Sequence, residues 1–167
     1  MKIKIVLLQK EHLTSLANIR NDYEVRKFLR QVKECTKEGQ LKWFESAKLD
    51  NNRVDFTILV DKKVVGSCVT RDIDYVRKHC EVGWFVSPKF QGRGIALEAS
   101  QKLLKFIFND LQMESAYAYV YSDNPKGISF VQKLGMKKAG ELRNRRIRDN
   151  IYINEIIFDI TRRDFYA

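Results

Sequence analysis

The chain has little that would hold a fold together by covalent or metal cross-links. Its three cysteines, Cys35, Cys68 and Cys80, are an odd number with no Cys-x-x-Cys pair. The two histidines, His12 and His79, lie far apart at no metal-ligand spacing, and each reads as a surface residue. Neither a disulfide framework nor a zinc site is therefore expected, and a reducing cytoplasm is the expected compartment. The opening Met-Lys-Ile-Lys-Ile-Val-Leu-Leu is too short an apolar run for a signal peptide, and no later run reaches the length of a membrane span. With two prolines, no repeats, no low-complexity tract and no Pro/Gly/Ser-rich linker, nothing marks an internal boundary. One ordered domain over residues 1–167 is expected, long enough to bury a core.

What the chain has in excess is positive charge. Lys and Arg number 31 against 21 Asp and Glu, a formal net charge of +10. Such a balance suits an anionic partner, whether nucleic acid, a nucleotide cofactor or a phosphorylated metabolite, or it serves solubility alone. No recognised nucleic-acid-binding motif accompanies the charge.

Hydrophobic periodicity sketches the elements. Ile3, Ile5 and Leu7 alternate as an opening strand. Apolar residues recur at helical spacing from Lys10 to Arg30, with Asn21-Asp22 as a break and fresh N-cap. Thr36 caps a helix running to Leu49, whose buried side is read as Leu41, Phe44, Ala47 and Leu49. Val54–Val60 and Val64–Thr70 form a hairpin through Asp61-Lys62-Lys63, and Cys80–Val86 is a third strand. A long amphipathic helix spans Ile95 to Leu111, followed by a strand from Ser115 to Tyr121 and a short helix from Lys126 to Leu134. Lys137–Arg148 and Ile151–Ile160 close the chain as a hairpin turning at Asp149-Asn150. Hairpins mixed with strand-helix-strand crossovers predict an α+β fold.

Chemistry concentrates where the third strand meets the long helix. In Gln91-Gly92-Arg93-Gly94, the glycines allow positive φ and leave no side chain between backbone N–H groups and a ligand. The first turn of the helix beyond offers unpaired N–H donors at the positive end of its dipole, a docking point for phosphate. A lone Gly-x-Gly is also an ordinary strand-to-helix turn. The spacing is neither a Walker loop nor the three-glycine dinucleotide fingerprint.

Gln91-x-x-Gly94-x-Ala96 after an apolar strand ending near Pro88 resembles the acetyl-CoA signature of the GNAT acetyltransferase superfamily. Ile19–Arg26 and Trp43-Phe44-Glu45-Ser46 look like the early helices of the subgroup containing ribosomal-protein and amino-sugar acetyltransferases. Asn124 with Lys133-Leu134-Gly135-Met136 is similar to the family's late helix, and the last two strands fall where the family places them. The likeness covers essentially the whole chain. It implies a single GNAT-like domain with a mixed central sheet, helices on both faces, and acetyl-CoA as co-substrate without a metal. The implied cofactor site is Phe85, Val86, Gln91, Gly92, Arg93, Gly94, Ile95, Ala96 and Asn124. In the family the loop amides hold the pyrophosphate, and the preceding strand splays from its neighbour so that a backbone N–H polarises the thioester carbonyl. Asn124 could equally be a helix cap.

An amine attacks a thioester only when unprotonated, so some group must accept its proton. Glu81, on the strand ahead of the loop, is the candidate base, because the subgroup places a glutamate on this strand in that role; an ion-paired or solvent-facing glutamate is the other reading. Strand alternation puts Glu81, Gly83 and Phe85 on one face and Cys80, Val82, Trp84 and Val86 on the other. The positions where the family carries a tyrosine or serine acid are here Val131 and Gly127, and Ser129 lies at another helical angle. Cys68 and Cys80 read as packing thiols, so the expected reaction is direct transfer in a ternary complex. Arg143 and Arg145 are expected on one strand face, with Arg146 and Arg148 on the other.

The expected function is therefore transfer of acetyl from acetyl-CoA to a primary amine. The charge and the early-helix resemblance favour a nucleotide-linked amino sugar over a polyamine. A protein N-terminus as acceptor, a silent acyl-CoA-binding domain, or a non-enzymatic basic nucleic-acid-binding domain are the alternatives. Membrane is not an expected partner, and the chain is expected as a monomer or homodimer.

Overall fold

In the computed structural model, which describes residues 1–31 and 33–167, seven strands share one sheet in the order β1-β2-β3-β4-β5-β7-β6. Strands β1 (Ile3–Leu7), β2 (Val54–Val60), β3 (Lys63–Asp74) and β4 (His79–Val86) form an antiparallel meander. β5 (Ser115–Tyr121) joins β4 in parallel, and β7 (Ile151–Thr161) and β6 (Lys137–Arg148) follow antiparallel, so the sheet is mixed as expected. Two tight turns manage without glycine. Asp61 and Lys62 take φ of 46° and 71°, and Asp149 and Asn150 take 50° and 61°, the paired left-handed conformation that suits a two-residue hairpin.

Helices lie on both faces. On one side α4 (Ile95–Lys105) packs Ile95, Ala99, Leu103 and Leu104 against Ile58, Val65, Cys68, Cys80, Val82 and Val86 of the sheet. The expected run to Leu111 is interrupted: Phe106–Asp110 is a π turn, and Leu111 N–H donates to Phe106 C=O at 3.1 Å. The wider turn buries both Ile107 and Phe108, which a continuous α-helix would set at different angles. α5 (Pro125–Lys133) adds Val131 to the same core.

On the other face lie α1 (Leu13–Asn21), α2 (Tyr23–Arg26) and α3 (Lys37–Ala47). The break at Asn21-Asp22 is real, with the Asp22 carboxylate accepting from Glu24 N–H at 2.9 Å. α2 is one turn and stops at Arg26 rather than Arg30. Thr36 caps α3 as expected, through Gly39 N–H at 3.0 Å. The buried side of α3 keeps the expected Phe44 but joins it to Gln40, four residues before, with Ala47 half-buried, while Leu41 and Leu49 are exposed. The helix ends at Ala47, so Leu49 lies beyond its turn. His12 also departs from expectation: it is buried, with ring Nδ1 2.9 Å from Thr57 Oγ1 of β2. A short α6 (Arg162–Tyr166), unforeseen in the sequence, follows β7 behind a capping box of Thr161 and Asp164. Among the described residues no helix is long and apolar enough to cross a membrane.

Candidate functional site

The pairing of β4 with β5 ends early. Its register runs His79↔Ser115, Cys80↔Ala116 and Glu81↔Tyr117, and no pair follows, although β4 continues to Val86 and β5 to Tyr121. The two strands part there, and a gap opens between their C-terminal halves. Ser87 N–H donates to Val65 C=O at 2.8 Å, toward β3. Strand alternation then turns the peptide groups of Val86 and Trp84 the other way, into the gap. Trp84 meets Phe130 of α5 edge-on, with ring centroids 5.2 Å apart.

The glycine loop stands at the end of the gap. Gly92 and Gly94 both have φ of 74°, and a Cβ at either would meet no atom within 4 Å. Their necessity is thus the left-handed backbone, and the space beside them is free to receive a ligand. Gly94 is the N-cap of α4 and supplies no side-chain bond, so the first N–H groups of the helix, at Ile95 and Ala96, keep their donor capacity. The Gln91 side chain donates to Val86 C=O at 3.0 Å and fastens the loop to β4. Arg93 and Lys63 lie over the Phe90 ring, which places cationic groups around the loop. This arrangement fits a pyrophosphate.

Asn124 caps α5, its Oδ1 accepting from Gly127 N–H at 2.9 Å. A Cβ on Gly127 would lie 2.5 Å from Asn124 Nδ2 and 3.0 Å from Val120, so the cap itself excludes a serine there. Val131 is 1% exposed within the apolar core, and Ser129 faces outward. Neither expected acid position offers a proton donor.

On the sheet face opposite α4, beside the gap, lies a cleft of about 330 Å³. Aromatic residues Phe28, Trp43, Phe85, Tyr119 and Tyr121 line it, with four arginines (Arg20, Arg30, Arg53, Arg71) and three carboxylates (Asp55, Glu81, Glu155). Glu81, Gly83 and Phe85 share this face and Cys80, Val82 and Val86 the core face, as alternation required. Glu81 is 3% exposed and doubly held. Arg71 brings Nη2 to 2.5 Å and Nε to 3.1 Å from Oε1, and Arg30 Nη1 stands 3.2 Å from Oε1 and 3.3 Å from Oε2. Arg30 also stacks over Tyr119 at 4.7 Å. Arg53 grips Asp55 through two bonds, at 2.5 and 2.8 Å. Burial, with the nearby Glu81 charge, pushes the Tyr117 phenol up to about 12, so it stays protonated. Burial likewise pushes the thiols of Cys68 and Cys80 up to about 12 and about 11, which leaves them without nucleophilic thiolate.

The hairpin arginines depart from simple alternation. A register shift between Leu142 and Arg146, with Asn144 at φ 53°, lets Arg145 and Arg146 both turn over the cleft side. Arg145 Nε lies 3.8 Å from Glu155, while Arg146 stacks on Tyr121 and donates to Lys27 and Leu29 C=O at 2.9 and 3.1 Å. Arg148 bonds to Lys27 C=O and pairs with Asp123. These side chains fasten the segment after α2 against the sheet.

Sequence reasoning passed over Arg71, Arg30 and Glu155. The signal for two of them was present: Arg71 follows Ser67 and Val69, and Glu155 follows Ile153, each a charge on the same two-residue period as partly or fully buried neighbours. Arg30 lies in a connection and had no such signal.

Known proteins share this arrangement of elements. The model of a family described as an acetyltransferase (GNAT) domain matches residues 2–137. The chain is 24% identical over 111 residues to the putative ribosomal N-acetyltransferase YdaF of Bacillus subtilis (strain 168), covering 66% of this chain and 58% of that protein. It is 27% identical over 118 residues to the spermidine N(1)-acetyltransferase of Escherichia coli (strain K12), covering 71% of this chain and 63% of that one. The chain thus spans less than two thirds of the length of either relative. The crystal structure of spermidine N-acetyltransferase from Vibrio cholerae in complex with CoA and spermine superposes with a TM-score of 0.91 over 99% of this chain and 98% of that one. At 18% identity, that likeness shows a shared fold.

Proposed function

The chain belongs to the GNAT acetyltransferase family, and from that premise we propose that it is an acetyl-CoA-dependent N-acetyltransferase acting on a primary amine held in the arginine-lined cleft. The observation that carries this reading is the parting of β4 from β5 after Glu81 and Tyr117, between an uncapped glycine loop and the polar cleft. The loop backbone and the first turn of α4 would hold the pyrophosphate of coenzyme A, and acetyl-CoA would supply the activated thioester. The peptide edges of Trp84 and Val86 face the gap where its carbonyl would lie, and an N–H there stabilises the charge that develops on a carbonyl oxygen. Transfer is direct, because the buried thiols lack thiolate character.

Within this reading the acceptor is an amine that also carries an anion, such as a nucleotide-linked amino sugar. Arginines outnumber carboxylates in the cleft, and each of Asp55, Glu81 and Glu155 already faces a guanidinium. Arg20 faces none of these carboxylates: its Nη2 donates to Gln31 Oε1 at 3.0 Å, its guanidinium lies over the Phe85 ring, and its Nε has no partner among the described residues, so its charge is the one left to meet phosphate oxygens. A polyamine is the second reading. Its support is the likeness to spermidine acetyltransferases, and it would have to compete with arginine for every carboxylate. Labelled acetyl-CoA offered with a uridine-diphosphate amino sugar, spermidine and a free-amine peptide together decides between them. Label in the amino sugar supports the first reading. Label in spermidine or peptide alone overturns it and leaves the acetyltransferase assignment standing.

A further inference from the structure

Building on the assignment of the cleft to acetyl transfer, we propose that Glu155 of β7, and not Glu81, takes the proton of the reacting amine. Two buried carboxylates face the cleft, and they are held differently. Both oxygens of Glu81 lie within hydrogen-bond reach of guanidinium nitrogens, the shortest contact being 2.5 Å. Glu155 is 7% exposed, yet its guanidinium contacts are longer: Arg30 Nε at 3.7 Å from one oxygen and Arg145 Nε at 3.8 Å from the other. Those separations exceed a hydrogen bond, so the lone pairs of Glu155 remain directed at whatever enters the cleft. A proton placed on Glu81 would disrupt two charge-assisted pairs, whereas a proton on Glu155 displaces none at bonding distance.

Position points the same way. Glu81 pairs with Tyr117 at the closed apex of the gap, where β4 and β5 still touch. Glu155 pairs with Tyr121, at the open end where β5 has parted from β4. The groups facing it are Arg30 from the segment after α2, Arg145 of β6, Tyr119 and Tyr121 of β5, and Glu81 of β4.

The step balances without a further reactant. The ammonium gives one proton to the Glu155 carboxylate. The freed nitrogen lone pair forms the C–N bond as the C–S bond breaks. The second proton shed by nitrogen goes to the departing thiolate, giving free coenzyme A and the N-acetyl product. Glu155 then returns its proton to water. Glu81 is a positioning residue that fixes Arg71 and Arg30.

The test compares kcat across pH for wild type, Glu155→Gln, Glu155→Asp and Glu81→Gln, with spermidine and a uridine-diphosphate amino sugar as acceptors and acetyl-CoA affinity measured alongside. Glu155→Gln should lower kcat about a hundredfold at neutral pH. The deficit should close as pH rises toward the amine's own pKa, about 10 for an alkyl amine. Acetyl-CoA affinity should hold, and Glu155→Asp should recover part of the rate with the wild-type pH profile. The loss in Glu81→Gln should not vary with pH. A Glu155→Gln deficit that is absent or flat with pH overturns the proposal, as does a pH-closing deficit in Glu81→Gln instead. Wild-type protein that binds acetyl-CoA but acetylates no amine overturns the assignment of the cleft as well.

Discussion

On one face of β4, Cys80, Val82 and Val86 press into the apolar layer under α4; on the other, Glu81, Gly83 and Phe85 line a cleft of arginines, carboxylates and aromatic rings. Both faces bury side chains, and they do so by different physics. The core face gains by removing apolar area from water, a non-directional gain that each residue contributes nearly alone. The cleft face buries charge, which is tolerable only while every partner is present. The first arrangement supports a fold and the second supports a site, and two-residue alternation keeps them one residue apart along the same strand.

The comparison can be broken most forcefully on the core side. Leu103→Ala, at a position 1% exposed, should cost about 3 kcal/mol in denaturant unfolding. Acetyl-CoA affinity of the folded fraction should not change. On the cleft side, Arg71→Met should cost about 2 kcal/mol, less than for a fully broken buried pair because Arg30 still faces Glu81. Adding Glu81→Gln to that variant should restore part of the loss; strictly additive costs would show that the cleft face behaves like the core. Gly127→Ser should cost about 1.5 kcal/mol through overpacking against Asn124, without any gain in kcat. Asn124→Ala should cost about 1 kcal/mol as a lost N-cap, read as a shift in melting temperature. The smallest effect is a silence. Cys68 and Cys80 should resist alkylation in the native protein at neutral pH, while half-buried Cys35 reacts.

How legible each face was in the sequence follows from the same physics. The core face is written in alternation, because Cys80, Val82 and Val86 fall on one period and their neighbours on the other; the glycine loop is written in residue type, because only glycine adopts φ of 74° without strain. The turn at Asp61-Lys62 lacked that marker, yet the flanking strands still placed it. What the chain order hides is which charges meet. Arg71 reaches Glu81 across ten residues and Arg30 reaches it across 51, through the β3-β4 pairing and the docking of the segment after α2. The π turn at Phe106–Asp110 and the inward placement of Gln40 on α3 were hidden for a similar reason, since packing against neighbours sets them.

The account rests most heavily on acetyl-CoA meeting the protein at the glycine loop, and calorimetric titration of acetyl-CoA into wild type and Gly94→Val tests that directly. A β-branched residue at φ 74° distorts the loop, and its side chain enters the open space beside α4 without striking the core. The expected result is saturable one-to-one binding by wild type and none by Gly94→Val, with circular dichroism showing both folded. Equal binding by the two proteins, or no binding by wild type, would contradict it.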